Sequence, residues 1–239
     1  MSMTVTDEFS TRLDSLASHW RVSYQFLDRL YGAVPAHPDL IRGWIKARMG
    51  LEGRELDEMV AKTLSEIAID EEELTVHDLG DEEIDEIVQE QERQTTQVFK
   101  TAEDGALCVE ARTLKAAMRQ QQKRLNLSAA GRAADLKNAI WITPIRIPLM
   151  RDGEPIREPD GYERFAKSLP YGSALARHAY VEQATITFDL HILRTAKLEV
   201  EDVKDIIAAC QQCGYGAMHN LGEGRFMVTQ FEEIEVEDE

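Results

Sequence analysis

The chain predicts an α+β fold, an antiparallel sheet with helices packed on it and an acidic helical insertion. Three observations carry this. First, WRVSYQFLDRLY (20–31), ATITFDLHIL (184–193) and RFMVTQF (225–231) are rich in aromatic and β-branched residues and read as strands. Second, PDLIRGWIKARM (38–49), TLKAAMRQQQKRL (113–125) and VEDVKDIIAACQQC (200–213) carry apolar residues at helical spacing. Third, residues 51–93 hold 17 acidic and 3 basic side chains within two further helical patterns, 56–69 and 81–93. Such a segment is expected as an insertion on the core.

The elements follow in order. Residues 1–19 form a polar lead, and the first strand follows at 20–31. GAVPAHP (32–38) is a turn punctuated by Pro35 and Pro38. Proline suits the first turn of the helix at 38–49, where its missing N–H has no partner to lose. Leu40, Ile41, Trp44, Ile45 and Met49 share one face of it. Asp81 is placed to cap the second acidic helix, and acid in a first turn suits the helix dipole. TQVFK (96–100) and GALCVEA (105–111) are expected as strands around a turn at Glu103–Gly105. AIWITPIRIPLM (139–150) reads as a strand broken by Pro144, and 151–165 as a loop or long hairpin. YGSALARHAYVEQ (171–183) leads into the strand at 184–193. This divides the chain into a first βα part of the core (1–50), the acidic insertion (51–95) and the remainder of the core with an acidic tail (96–239).

Composition narrows the class. The 239 residues are 43% hydrophobic and 30% charged, ordinary for a globular protein with a substantial core. No apolar run approaches a membrane span, and the polar start MSMTVTDEFS lacks the apolar core of a secretory signal. Cys108, Cys210 and Cys213 are too few for a disulfide framework, so a reducing, cytoplasmic setting is expected. The net charge of −17 is unevenly spread. Outside 51–93 and the tail 231–239, 24 basic side chains face 21 acidic ones. A uniform negative field would repel phosphate; this distribution leaves a mildly basic body.

The most distinctive stretch is GYGAMHNLGEGRF (214–226), with glycines at 214, 216, 222 and 224 between a helix and a strand. Glycine is favoured where backbone takes positive φ or closely approaches another surface. This β–α–glycine loop–β ending resembles the CRISPR-associated RAMP superfamily, whose members carry such a loop near the end of a ferredoxin-like or RRM-like domain. The segment LYGAVPAHPDLIRGW (30–44) with LKAAMRQQQKRL (114–125) is similar to a group of uncharacterised phage-encoded proteins with RAMP-like ends. The resemblance implies a ferredoxin-like or RRM-like core and RNA or another single-stranded nucleic acid as ligand. It also implies copies of itself or other RAMP-like subunits as partners.

The candidate site has two parts. Residues 112–137 hold seven basic side chains and one acidic one. Lys115, Arg119 and Lys123 lie four apart on one helix face, with Arg112 and Arg124 beside them, a pattern that can follow a phosphate backbone. In the loop, main-chain N–H groups at Gly214, Gly216, Gly222 and Gly224 would reach phosphate, with His219 and Arg225 adding side-chain contacts.

The favoured function is a non-catalytic nucleic-acid-binding module with no cofactor, no metal and no membrane association. Two alternatives stand beside it. One is an anti-defence, anti-CRISPR type of protein-binding factor that captures a basic host protein through 51–93. The other is a metal-independent endoribonuclease using His37, where RAMP ribonucleases often carry a catalytic histidine. Cys210 and Cys213 lack the second ligand pair of a zinc site and share a helix face with Ile206, so they are expected in the core.

Overall fold

A computed structural model describes residues 16–35, 41–42, 45–46, 52–65, 96–125, 133–169, 172–194 and 198–234. The first half contains β1 (Ala17–Phe26), β2 (Leu30–Tyr31), β3 (Val34–Pro35), α1 (Gly53–Ser65), β4 (Gln97–Val98), β5 (Lys100–Thr101), β6 (Leu107–Glu110) and α2 (Ala111–Arg124). The second contains α3 (Ala133–Ala139), β7 (Ile140–Thr143), β8 (Arg146–Pro148), β9 (Met150–Arg151), β10 (Glu154–Pro155), β11 (Gly161–Leu169), β12 (Gly172–Val181), β13 (Thr185–Leu193), α4 (Val200–Cys213) and β14 (Phe226–Glu233).

The central sheet runs β14–β1–β13–β7, every neighbour antiparallel, with the β9–β10 hairpin at one corner. α2 falls between β1 and β7 in the chain, and α4 between β13 and β14. Each connection therefore skips one strand of the sheet. The two helices touch one another, and α2 also packs on β7 and α4 on β14.

Strand periodicity explains how the sheet is covered. In β13, Ile186, Phe188, Leu190 and Ile192 are buried, whereas Thr185, Thr187, Asp189 and His191 alternate with them. In β1, Val22, Tyr24 and Phe26 join the buried set. Tyr24 stacks on Phe226 at 4.2 Å and meets Phe188 edge-on at 5.1 Å. The helices add Leu114 and Met118 from α2, and Val203, Ile206 and Ile207 from α4. The opposite sheet face is polar: Arg21 pairs with Asp189 at 2.9 Å, and Ser23 bonds Thr187 and Gln230. Also on it, His19 and His191 meet through their Nδ1 atoms at 2.7 Å, with Trp141 stacked on His191.

A second sheet runs β11–β12–β4–β3, with β2 beside β12, and a third runs β5–β6–β8. The largest departure from the sequence reading lies here. Residues 161–165, expected within a loop or long hairpin over 151–165, and 172–181, expected as a lead-in to the next strand, form with 166–169 one long hairpin paired from Gly161–Tyr180 to Leu169–Gly172. Glu163, Arg164, Lys167 and Arg177 interrupt any apolar alternation, so the period-2 signal is absent. The contacts that hold the hairpin are long-range ones: Phe165 meets Tyr31 edge-on at 5.3 Å, and Arg29 bonds Glu163 at 3.0 Å and Glu182 at 2.8 Å.

At the base of this hairpin, Asp160 is held by Arg151 and accepts the Glu182 N–H at 2.7 Å. Burial alone would raise the Asp160 carboxyl, but the Arg151 hydrogen bond and charge, with the Glu182 N–H, leave it below its ordinary value. A carboxylate depressed by folding stabilises above its unfolded pKa, and that contribution disappears as pH falls through the folded value. Asp160→Asn is therefore expected to lower stability at neutral pH. The gap to wild type should close below pH ~4 in thermal melts recorded across pH.

Other boundaries shift less. The first strand begins at Ala17, inside the expected polar lead, and is interrupted at 27–29. Residues 41, 42, 45 and 46 are helical with Ile41 and Ile45 buried; Leu40, Trp44 and Met49 lie outside the described residues. The first acidic helix is α1, starting at Gly53 and burying Leu56 and Val60; the second, 81–93, lies outside the described residues. The expected break at Pro144 separates β7 from β8. Among the described residues no helix is long and apolar enough to cross a membrane.

Candidate nucleic-acid interface

α2 buries Ala111, Leu114, Met118, Gln121 and Gln122. At 3.6 residues per turn, Arg112, Lys115, Arg119 and Lys123 fall within an arc of about 80° beside this buried face. Their environments differ. Arg112 is exposed and paired with Glu110 at 2.6 Å. Lys115 is half-buried and donates to the Ile140 carbonyl, so it also anchors α2 to β7. Burial, then the charges of Arg119 and Lys137, lower its pKa. Arg119 is half-buried and Lys123 exposed. Arg124 turns toward α4, with Nη1 at 3.3 Å from Cys213 Sγ, and does not join the arc.

The glycine loop starts where α4 ends. Gly214 has φ +74° and its N–H bonds Cys210 O at 3.0 Å, closing the helix. Gly216, Gly222 and Gly224 have φ of +96°, +91° and +69°, so all four glycines occupy backbone that L side chains rarely adopt. The close approach is chiefly to the protein's own chain. A Cβ on Gly214 would stand 2.2 Å from Glu223 O, and one on Gly224 1.9 Å from Tyr215 O. On Gly216 it would meet Leu30 Cδ1 at 3.0 Å. Space is open only around Gly222, with nothing within 4 Å. The loop is tied by Tyr215 N–H to Gly224 O at 2.9 Å, and His219 Nδ1 donates to Gly216 O at 2.8 Å. Arg225 is held by Asp28 through two bonds of 2.7 and 3.1 Å, so its charge is already compensated.

The two predicted features meet. Thr113 Oγ1 on α2 contacts the Tyr215 hydroxyl in the loop, and Cys213 Sγ lies 3.4 Å from Gln121 Oε1. Burial pushes the Tyr215 phenol above its ordinary range, so it stays protonated. Between helix and loop lies a cavity of about 400 Å³. Ala116, Ala117 and Gln120 line it from α2, Gly216 and His219 from the loop, Val98 from β4 and Phe99 from the link between β4 and β5.

The strand wall was missed by sequence reasoning, because it comes from the excursion between β1 and α2 and carries no motif. One signal was available: Ala116 and Ala117 are the small pair in an otherwise long-chained helix surface. His37 lies outside the described residues, as does most of the acidic segment. Burial pushes the Cys210 thiol up to about 12, in keeping with its place in the core, and Cys213 is half-buried.

No protein-family model and no curated protein matches this sequence. Among solved structures, the chain is similar to one in a cryo-electron-microscopy structure of a type III-B Cmr-β complex bound to cognate target RNA. The TM-score is 0.44 at 11% identity, covering 96% of this chain and 65% of the other. This chain thus spans less than two thirds of that protein's length, and a likeness at this level assigns neither family nor function.

Proposed function

We propose that this protein is a non-catalytic module that binds RNA or another single strand along α2 and the glycine loop, on a RAMP-like core. The observation that carries the reading is the arc of cations on α2 bordering a crevice that the glycine loop closes. Single-strand sites combine a positive track for the backbone with room for unpaired bases. The sheet order supports the core assignment. Counting β1, β7, β13 and β14 as first to fourth, the order is fourth–first–third–second, with helices after the first and third. That order is the one expected of a ferredoxin-like βαββαβ core. The same reading makes the protein a subunit that assembles with copies of itself or related chains along the strand.

The test is fluorescence anisotropy with labelled single-stranded RNA. Wild type binds, and Arg119→Glu/Lys123→Glu binds far more weakly with an unchanged thermal melt. Equal binding by both proteins, or none by wild type, overturns the reading.

A further inference from the structure

We propose that the crevice between α2 and the glycine loop receives one unstacked nucleobase of the bound strand, whose sugar–phosphate then passes over Arg119 and Lys123. This rests on the reading above and deepens it.

Three observations carry the inference. The volume, about 400 Å³, lies within the range of roughly 300–1,000 Å³ typical of small-ligand sites. Its walls are largely apolar: Val34, Val98 and Phe99 on the strand side face Ala116 and Ala117 on the helix side. The two alanines keep it open, where a longer side chain would fill it. Polar residues interrupt these walls, among them Glu110, Thr113, Gln120 and His219. A nucleobase has the matching chemistry, apolar faces with donors and acceptors around its edge. Unpaired bases are commonly splayed out and captured in this way.

Charge complementarity fixes the occupant as a nucleotide unit rather than a neutral aromatic molecule. On the helix, the exposed lining residues Ala116 and Gln120 neighbour Arg119 and Lys123, so a base inside leaves its phosphate beside these cations. Arg112 and Lys100 hold Glu110, at 2.6 and 3.4 Å, so the carboxylate in the cavity lining is compensated. His219 stays oriented by its bond to Gly216 O, leaving Nε2 as its second polar atom.

The experiment uses the full chain and two probes, a short labelled oligouridylate and an abasic strand of the same length. Uridylate stacks weakly on itself, so a difference reports contacts with the protein. Wild type is expected to bind oligouridylate about fivefold or more tightly than the abasic strand. Ala117→Trp, checked by circular dichroism and thermal melting, should bring oligouridylate down to the abasic affinity and leave the abasic affinity unchanged. Equal affinity of wild type for the two strands overturns base insertion while the phosphate reading stands. Failure to bind either strand overturns both. The wild-type comparison decides the matter even if the tryptophan variant does not fold.

Discussion

Gly224→Ala is expected to destabilise the protein by at least about 3 kcal/mol, a large fraction of the roughly 5–15 kcal/mol that holds an ordinary domain folded. Two costs add. The backbone at Gly224 has φ +69°, where an L side chain is strained by roughly 1–2 kcal/mol. The new Cβ would also stand 1.9 Å from Tyr215 O and 3.0 Å from Tyr215 C. Those are backbone atoms, and the Tyr215 N–H to Gly224 O bond holds them in place. Relief therefore requires opening the loop, which frees Tyr215 from Phe26 and Thr113.

Gly222→Ala supplies the control. Its φ is +91°, but no atom lies within 4 Å of the new Cβ, so only the backbone term of about 1–2 kcal/mol applies. Urea unfolding of the two variants should separate them clearly. A Gly224→Ala protein as stable as Gly222→Ala contradicts the self-closed loop.

The second large effect is on binding. Reversing Arg119 and Lys123 replaces two phosphate contacts with two repulsive charges, and affinity for single-stranded RNA should fall at least about tenfold near physiological salt. The salt dependence is the sharper reading. Each lost phosphate contact lowers the slope of log K against log salt by about 0.7 for a single strand, so the double variant should lose about 1.4. Arg54→Glu on α1, an exposed residue that pairs with Glu58 at the surface, makes half that charge change elsewhere. If it weakens binding as much, the effect is one of net charge and the α2 site is wrong. Lys115 is left intact in this design because its bond to Ile140 O makes it part of the fold.

The legible parts of the sequence are those where one local pattern decides. β13 and β14 follow from their aromatic and β-branched residues, and α2 and α4 from apolar residues at helical spacing. The four loop glycines announced positive φ, and all four have it. What the glycines approach was not legible. Gly214 and Gly224 meet the opposite limb of the same loop and Gly216 meets β2, contacts between segments that no short motif connects. The long hairpin β11–β12 was hidden for the same reason: its charged strands are held by Tyr31 and Arg29, more than a hundred residues away.

Within the site, the basic face was readable as a charge pattern, but the commitments of individual cations were not. Arg225 belongs to Asp28, 197 positions earlier in the chain, and Arg124 to the end of α4. The crevice itself needs three elements distant in sequence to converge. Only the Ala116–Ala117 pair hinted at it.

The most direct measurement is photocrosslinking of the full chain to a single-stranded RNA carrying 4-thiouridine, with the attached peptides identified by mass spectrometry. Attachment is expected within residues 111–124 and 214–224, and is lost in the Arg119→Glu/Lys123→Glu protein. Attachment confined to the polar sheet face around Trp141 and His191, or to β11–β12, would contradict this placement of the strand.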